Sequence, residues 1–151
     1  MGILMVPSVF GETYTIEPAQ GSSVPQCAET ADGCFIPFLL HIEVGDTVIF
    51  QNTDTAAHTI SSGTPADGSD GLFDSSLVMA GNSYSVTFDT EAEYPYYCMV
   101  HPWAQGTIIV GEGGENPYQK SVREAEAAAV VEAEAEAAAA AEAEKAAKKA
   151  A

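Results

Sequence analysis

The chain has 151 residues and a formal net charge of −17 at pH 7, with 22 acidic and five basic residues. This length allows one hydrophobic core plus an appendage, and no run of 18 apolar residues is present that could span a membrane. All five basic residues follow position 117, and fifteen of the acids precede it. The first part of the chain therefore carries only negative formal charges, which excludes nucleic acid and anionic membrane surfaces as its partners.

The apolar opening Met1–Val6 predicts a first β-strand. It is too short for a secretory signal peptide, has no basic residues before it and runs into Pro7. We therefore expect that this chain lacks a signal peptide. The alternative is that the segment is the remnant of an export signal that has been trimmed.

Cys27 and Cys34 lie in a turn-rich loop whose neighbours offer no metal ligands. A disulfide between them would close a short loop and stabilise the fold by roughly 2–3 kcal/mol. Such a bond predicts an oxidising compartment, so the protein is expected to be exported, to the cell exterior or a periplasm-like space. Two free thiols are the alternative. Cys98 is then the unpaired cysteine and the candidate for chemistry.

Short runs with alternating apolar and polar residues predict strands separated by turns, which is typical of an antiparallel β-sandwich or barrel. Gly45-Asp46 is predicted to form a hairpin turn. The Gly-, Ser- and Asp-rich stretch Ser61–Ser76 is predicted to be a long loop near the site. The strand-like runs are Glu12–Glu17, Phe35–Val44, Thr47–Gln51, His58–Ser61, Ser83–Phe88, Tyr94–Cys98 and Thr107–Val110.

The strongest chemical signal is a thiolate and an imidazole three residues apart, Cys98 and His101, with His58 upstream. A thiolate with two imidazoles suits copper that cycles between Cu(I) and Cu(II), one ion per chain. The residue three positions after His101 is Ala104, which has no donor atom, although such sites usually add a weak axial thioether. The third histidine, His41, lies on a predicted strand and is interpreted as structural.

From Tyr118 to Ala151 the chain is mostly Ala and Glu, which predicts a helix. Its acidic residues spiral around the axis, so no broad apolar stripe remains, and a solvated helix is favoured over a homo-oligomer assembled through it. The predicted organisation is a copper-binding domain over residues 1–111, a Gly-rich linker over 112–117 and the helix over 118–151.

The chain resembles the cupredoxins, the type 1 copper proteins that include plastocyanin, pseudoazurin and amicyanin. The resemblance covers roughly residues 10–111 and is carried by Ile42–Phe50, Ala57-His58-Thr59 and Tyr94–Pro102. It implies an all-β Greek-key sandwich with an appended C-terminal helix, and copper bound by His58, Cys98 and His101.

The resemblance also implies roles for residues around the metal. The backbone near Thr59 would hydrogen-bond the Cys98 sulfur and tune the potential. His101, ringed by Pro102 and Trp103, would be the port for electrons. Trp103 could instead be a capping aromatic that only packs.

Ala104 departs from the amicyanin-like pattern, which has an axial Met at this position. Four substitutes for this ligand can be considered: Met99, Met79, Gln105 and the carbonyl of Ala57. Met99 directly follows Cys98, so strand alternation points its side chain to the side opposite the metal. Met79 would come near the metal only in a particular fold, and Gln105 lies one residue after the position of the expected ligand. A water molecule or an open position is therefore expected.

The expected function is one-electron transfer with a redox partner protein, which the acidic domain predicts to be cationic. The excess of acids could equally be an adaptation to a salty medium. The open axial position raises an alternative, inner-sphere copper chemistry on a small ligand such as nitric oxide, oxidised to nitrite with water supplying the oxygen. The overall match, including the Ala at the position of the axial Met, most resembles the purple cupredoxins of ammonia-oxidising archaea. Copper storage or delivery, or a zinc site, is the non-redox alternative.

Overall fold

The computed structural model describes residues 11–150, so the strand predicted for residues 1–6 lies outside the described part of the chain. The chain divides into two compact units after Asn116. Among the described residues, the first unit contains β-strands and one short 3₁₀ turn, Pro25–Glu29, and the second contains one α-helix.

The first unit is a sandwich of two sheets, which confirms the predicted fold class. One sheet has the strand order β2-β1-β4-β7 and the other β3-β9-β8-β5-β6. The strands are β1 Thr13–Pro18, β2 Phe35–Ile36, β3 Leu39–Ile42, β4 Thr47–Gln51, β5 Ser61–Thr64, β6 Gly68–Asp74, β7 Ser83–Thr87, β8 Ala92–Tyr97 and β9 Gln105–Val110.

Two strand pairs are parallel, β1 with β4 and β3 with β9, and the other described pairs are antiparallel. Parallel neighbours cannot be joined by a tight turn, so the chain must cross between the sheets to make them. This crossing places β8 between β5 and β9.

The core lies between the sheets and is built from alternating strand residues. In β4 the side chains of Val48 and Phe50 are buried, as the alternation predicts. Tyr96 of β8 packs edge-on against Phe35 and Phe50, with ring centroids 5.3 and 5.2 Å away. Aromatic packing of this kind stabilises a core beyond the area that it buries.

The hairpin predicted at Gly45-Asp46 is wrong, because β3 and β4 belong to different sheets. The turn instead carries the chain from one sheet to the other, with Gly45 at φ +94°. The buried Asp46 carboxylate accepts hydrogen bonds from the backbone N–H groups of Glu12 and Glu43, at 2.7 and 2.8 Å. The same sequence pattern, a Gly-Asp pair beside a short alternating run, occurs both in hairpins and in turns that connect two sheets.

The long loop predicted over Ser61–Ser76 is also wrong, since most of it forms the antiparallel pair β5–β6. Its polar side chains are used inside the fold. Ser62 is fully buried, and its hydroxyl accepts from the N–H of Phe73 at 2.9 Å and contacts the Asp70 carboxylate. Composition alone does not distinguish such satisfied polar residues from those of a surface loop.

The second unit is the α-helix α1, Pro117–Ala150. Pro117 occupies its first position, where the missing N–H costs nothing, and Lys148 and Lys149 lie in its last turn, which complements the helix dipole. Every side chain from Pro117 to Lys149 is exposed. No helix within the described residues combines the length and the apolar character needed to cross a bilayer.

Candidate metal centre

The three predicted ligands come together at one end of the sandwich. His58 lies in the connection between β4 and β5, Cys98 directly follows β8, and His101 lies in the turn that leads into β9. Because β8 pairs with both β5 and β9, these segments meet at the same edge. The ligand atoms of the three residues all lie within 4.8 Å of one another.

His58 is almost completely buried, with 2% of its surface exposed, and its two ring nitrogens differ in environment. Nε2 lies 2.8 Å from Oδ2 of Asp54 and 3.2 Å from Oγ of Ser22. Nδ1 is buried and has no hydrogen-bond partner in the described structure. A buried nitrogen without a partner is costly, whereas a bound metal would satisfy it. The residues present therefore fit a metal ion.

The segment before His58 is held by Asn52. Its side-chain amide donates to the carbonyls of Ala56 and Val78, both at 2.9 Å, and its Oδ1 accepts from the N–H of Asp54 at 3.0 Å. His58 and Val78 form an isolated bridge with two backbone hydrogen bonds, of 3.1 and 2.7 Å. A strand was predicted over His58–Ser61, but in the structure His58 lies outside the strand, which begins at Ser61.

Cys98 is fully buried and is a free cysteine. Its sulfur accepts a hydrogen bond from the N–H of Thr59 at 3.3 Å, which places the Thr59 backbone where the resemblance predicts it. The Thr59 hydroxyl accepts from the N–H of Met99 at 2.8 Å, so Thr59 contacts the chain on both sides of the thiol. Nδ1 of His101 lies 3.8 Å from the sulfur.

The hydrogen bonds around Cys98 favour its thiolate. Burial by itself raises the pKa of this thiol, but the neighbouring His58 imidazole and the hydrogen bond from the backbone N–H of Thr59 outweigh it and lower the pKa to about 6. Burial likewise opposes the charged form of His58, but the neighbouring Cys98 thiolate and the Asp54 carboxylate raise its pKa above the ordinary value. A thiolate is the form that binds metal.

His101 is partly exposed and lies between two rings. Its centroid is 5.0 Å from that of His58 and 5.5 Å from that of Trp103. Trp103 is itself half-buried, and its indole N–H donates to the carbonyl of Ser22 at 3.0 Å. Pro102 is exposed beside it. Trp103 therefore packs against the site and is also partly open to solvent.

Cys27 and Cys34 form the predicted disulfide. The segment that leads into it contains Ser22, which contacts both His58 and Trp103. The backbone N–H of Ala19 donates to the carbonyl of Cys34 at 2.8 Å. The disulfide loop is thus tied to β1 and flanks the candidate metal centre.

Ala104 is fully buried, and its backbone closes the loop around the ligands: its N–H donates to His101 at 2.8 Å and its carbonyl accepts from Cys98 at 3.0 Å. Met79 and Met99 are 55% and 47% exposed. The Gln105 side chain is exposed, and its amide donates to the carbonyl of Pro102 at 3.2 Å.

His41 is exposed on β3 and is not among the clustered residues. Two polar contacts of the site, Asp54 and Ser22, were not predicted from the sequence. Asp54 precedes His58 by four residues, and this spacing alone is a weak indication that the two side chains are in contact. Ser22 lies 36 residues before His58, so only the fold reveals its role.

Comparisons with known proteins agree with this geometry. Residues 25–111 match the family model described as copper binding proteins of the plastocyanin/azurin family. The chain is 28% identical to amicyanin from Paracoccus denitrificans over 119 residues, covering 70% of this chain and 88% of that protein. It is 33% identical to a chloroplastic plastocyanin from Tetradesmus obliquus over 99 residues, covering 62% of this chain and 66% of that protein.

Among solved structures, a purple cupredoxin from Nitrosopumilus maritimus superimposes with a TM-score of 0.57. It is 32% identical in sequence, and the alignment covers 65% of this chain and 99% of that one.

Proposed function

Because the chain belongs to the plastocyanin/azurin family of copper-binding proteins, the cupredoxins, we propose that it carries single electrons at a type 1 copper site. His58, Cys98 and His101 would hold the ion. The observation that carries the proposal is the convergence of one thiol and two imidazoles within 4.8 Å, with the buried Nδ1 of His58 left without a hydrogen-bond partner. Copper bound there supplies a centre that gains and loses one electron.

The residues of the chain suit electron transfer in three ways. The fold supplies the ligands at strand ends and in a short loop, so little has to move when the charge of the site changes. The Thr59 N–H bond and the burial of Cys98 protect the thiolate from solvent. The partly exposed His101, beside Trp103, offers a path from the buried centre to the surface.

We propose further that the redox partner is a protein with a cationic surface in an oxidising compartment outside the cytoplasm. The absence of Lys and Arg from residues 11–116 supports a cationic partner, since like charge would repel an acidic one. The Cys27–Cys34 disulfide supports an oxidising location.

We propose that a copper ion held by His58, Cys98 and His101 would receive no thioether ligand from position 104. Ala104, which occupies the position of the axial Met in amicyanin-like loops, is buried and carries only a methyl group. Two of the candidate substitutes, Met79 and Met99, are about half exposed to solvent, and the Gln105 amide donates a hydrogen bond to the Pro102 carbonyl. Water or an open position on that side of the copper is consistent with these placements.

The test is to add Cu(II) to the metal-free protein and record its absorption spectrum. We expect an intense charge-transfer band from the Cys98 thiolate that disappears on reduction and returns on reoxidation. Cys98→Ser should abolish the band, whereas His41→Gln, which changes the exposed histidine outside the cluster, should keep it. A wild-type protein that stays colourless with Cu(II) and holds Zn²⁺ tightly would contradict the proposal.

A further inference from the structure

One buried contact of the site involves a charged side chain. Oδ2 of Asp54 lies 2.8 Å from Nε2 of His58, and only 11% of the Asp54 side chain is exposed. An ionised carboxylate can only accept a hydrogen bond, so Nε2 must carry the proton. In the neutral imidazole Nδ1 is then left with its lone pair free, in the form that binds a metal.

Ser22 completes this contact. Its hydroxyl lies 3.1 Å from the same Asp54 oxygen and 3.2 Å from Nε2 of His58, and the residue is fully buried. When the hydroxyl donates to the carboxylate, its oxygen is free to accept from Nε2–H. The three side chains therefore form a closed set in which the hydroxyl proton goes to the carboxylate and the single Nε2 proton is shared between the carboxylate and the hydroxyl oxygen.

The backbone fixes Asp54 in this position. The N–H of Thr55 donates to Oδ1 at 2.8 Å, and the N–H of Asp54 itself donates to Asn52 at 3.0 Å. Both carboxylate oxygens are thus engaged, one by the loop and one by the ring. Such a carboxylate has little freedom to turn away from His58.

The negative charge of Asp54 is only weakly offset. Residues 11–116 contain neither Lys nor Arg, so no permanently charged cation of these residues can pair with it. A carboxylate that is largely buried acts through a lower effective dielectric constant than one in water. Its charge favours Cu(II) over Cu(I), because the oxidised ion carries one more positive charge.

We propose that Asp54 and Ser22 are positioning residues for the copper ligand His58. They hold the ring by Nε2 so that Nδ1 is presented to the metal, and the carboxylate lowers the reduction potential of the centre. This inference rests on the proposed copper site. It concerns contacts to the far side of a ligand, which are known to affect metal affinity by about 10–100-fold when removed.

Two variants separate the charge from the positioning. Asp54→Asn keeps an oxygen that can accept from Nε2–H but removes the charge, so we expect the charge-transfer band to remain and the potential to rise. Asp54→Ala removes both, so Cu(II) affinity should also fall by about 10–100-fold. Each tenfold loss of Cu(II) affinity that Cu(I) does not share raises the potential by about 59 mV. Ser22→Ala should shift the potential in the same direction by less.

Asp32→Asn is the matched control, because it removes one carboxylate from an exposed position in the disulfide loop. It should leave the potential near that of the wild type. If the two Asp54 variants shift the potential no more than Asp32→Asn does, the inference is wrong even though the copper site itself stands.

A second measurement needs no metal. In the metal-free wild-type protein at alkaline pH, nitrogen NMR should show neutral His58 with the proton on Nε2, and Asp54→Ala should lose this preference. A ring with the proton on Nδ1 would overturn the inference. A wild type that shows this tautomer yet never develops a copper band would instead count against the proposed function.

Discussion

Cys98 is a thiol in a dry environment that nevertheless favours its ionised form. Burial alone would keep it protonated, but the neighbouring His58 imidazole and the hydrogen bond from the Thr59 backbone act in the opposite direction and bring its pKa to about 6. The site is therefore prepared for a metal before one arrives, since the thiol has already lost its proton at neutral pH.

The ionisation of Cys98 can be measured in the metal-free protein through the ultraviolet absorbance of the thiolate. We expect a midpoint near pH 6 in the folded protein and near the ordinary value of about 8.5 after denaturation. Because the pKa is lowered by folding, the stability that this group contributes is complete above the unfolded value and is lost as the pH falls through about 6. Identical midpoints in the two states would contradict the description of the site.

Ala104 is the residue whose replacement tests the axial position. Ala104→Met should bring a thioether to the copper, shift the spectrum towards that of ordinary blue copper and suppress the binding of azide or nitric oxide. Placing a larger side chain at a fully buried position should cost the metal-free protein about 1–3 kcal/mol in its free energy of unfolding.

Ala104→Leu is the control for that experiment, because leucine has nearly the volume of methionine and no sulfur. If both variants give the same copper spectrum, the side chain at position 104 does not reach the metal. A difference confined to Ala104→Met would assign the change to the sulfur.

At the scale of elements, the disulfide loop supports both the core and the site. Replacing both Cys27 and Cys34 by Ser should lower the free energy of unfolding by roughly 2–3 kcal/mol, because the closed loop no longer restricts the unfolded chain. Urea denaturation measures this loss. A reductant should destabilise the wild type similarly and leave the double variant unchanged, and equal midpoints for all samples would contradict the expectation.

The residues between β9 and the helix are bound to the sandwich. The Glu93 N–H donates to the carbonyl of Gly114 at 2.8 Å, and the buried Asn116 amide donates back to Glu93 at 3.1 Å. We therefore propose that a chain ending at Asn116 keeps its copper spectrum and its stability. One ending at Gly111 should lose about 1 kcal/mol or more, because it lacks these hydrogen bonds. Equal stability of the two truncated chains would disprove the role of residues 112–116.

Elements were predictable from the sequence where local pattern and tertiary environment agree. Thr47–Gln51 is a strand with the predicted bounds, because its alternation matches one buried and one open face. The inter-sheet turn at Gly45-Asp46 and the β5–β6 pair were not predicted, because both depend on partners distant in sequence. The same division holds in the site: Cys98 and His101 lie in one short motif, whereas the contact between Ser22 and His58 exists only in the fold.

At the scale of the whole molecule, charge sets how the β unit meets its partners. Its fifteen acids stand without a Lys or Arg in residues 11–116. Electron transfer to a cationic cobalt complex should slow as salt is added, whereas transfer to an anionic iron complex should become faster. Stopped-flow rates at several ionic strengths measure both, and rates that do not depend on salt would show that the reacting surface is not acidic.

The strand order also bears on how the protein comes to be folded. β3 lies beside β9, with Leu39 opposite Thr107, so the sheet that carries the copper ligands cannot close until almost the whole β unit is available. Proteins dominated by such distant pairings fold in milliseconds to seconds. Three thiols are present during that interval, and Cys27 is only seven positions from Cys34, whereas Cys98 is more than sixty away from either.

Loop-closure entropy favours the short connection over the long one by about 2 kcal/mol. Cys27 and Cys34 therefore form their disulfide first. Cys98 is left unpaired until the strands around it assemble, so the short spacing in one loop protects the ligand thiol in another from oxidation to the wrong partner.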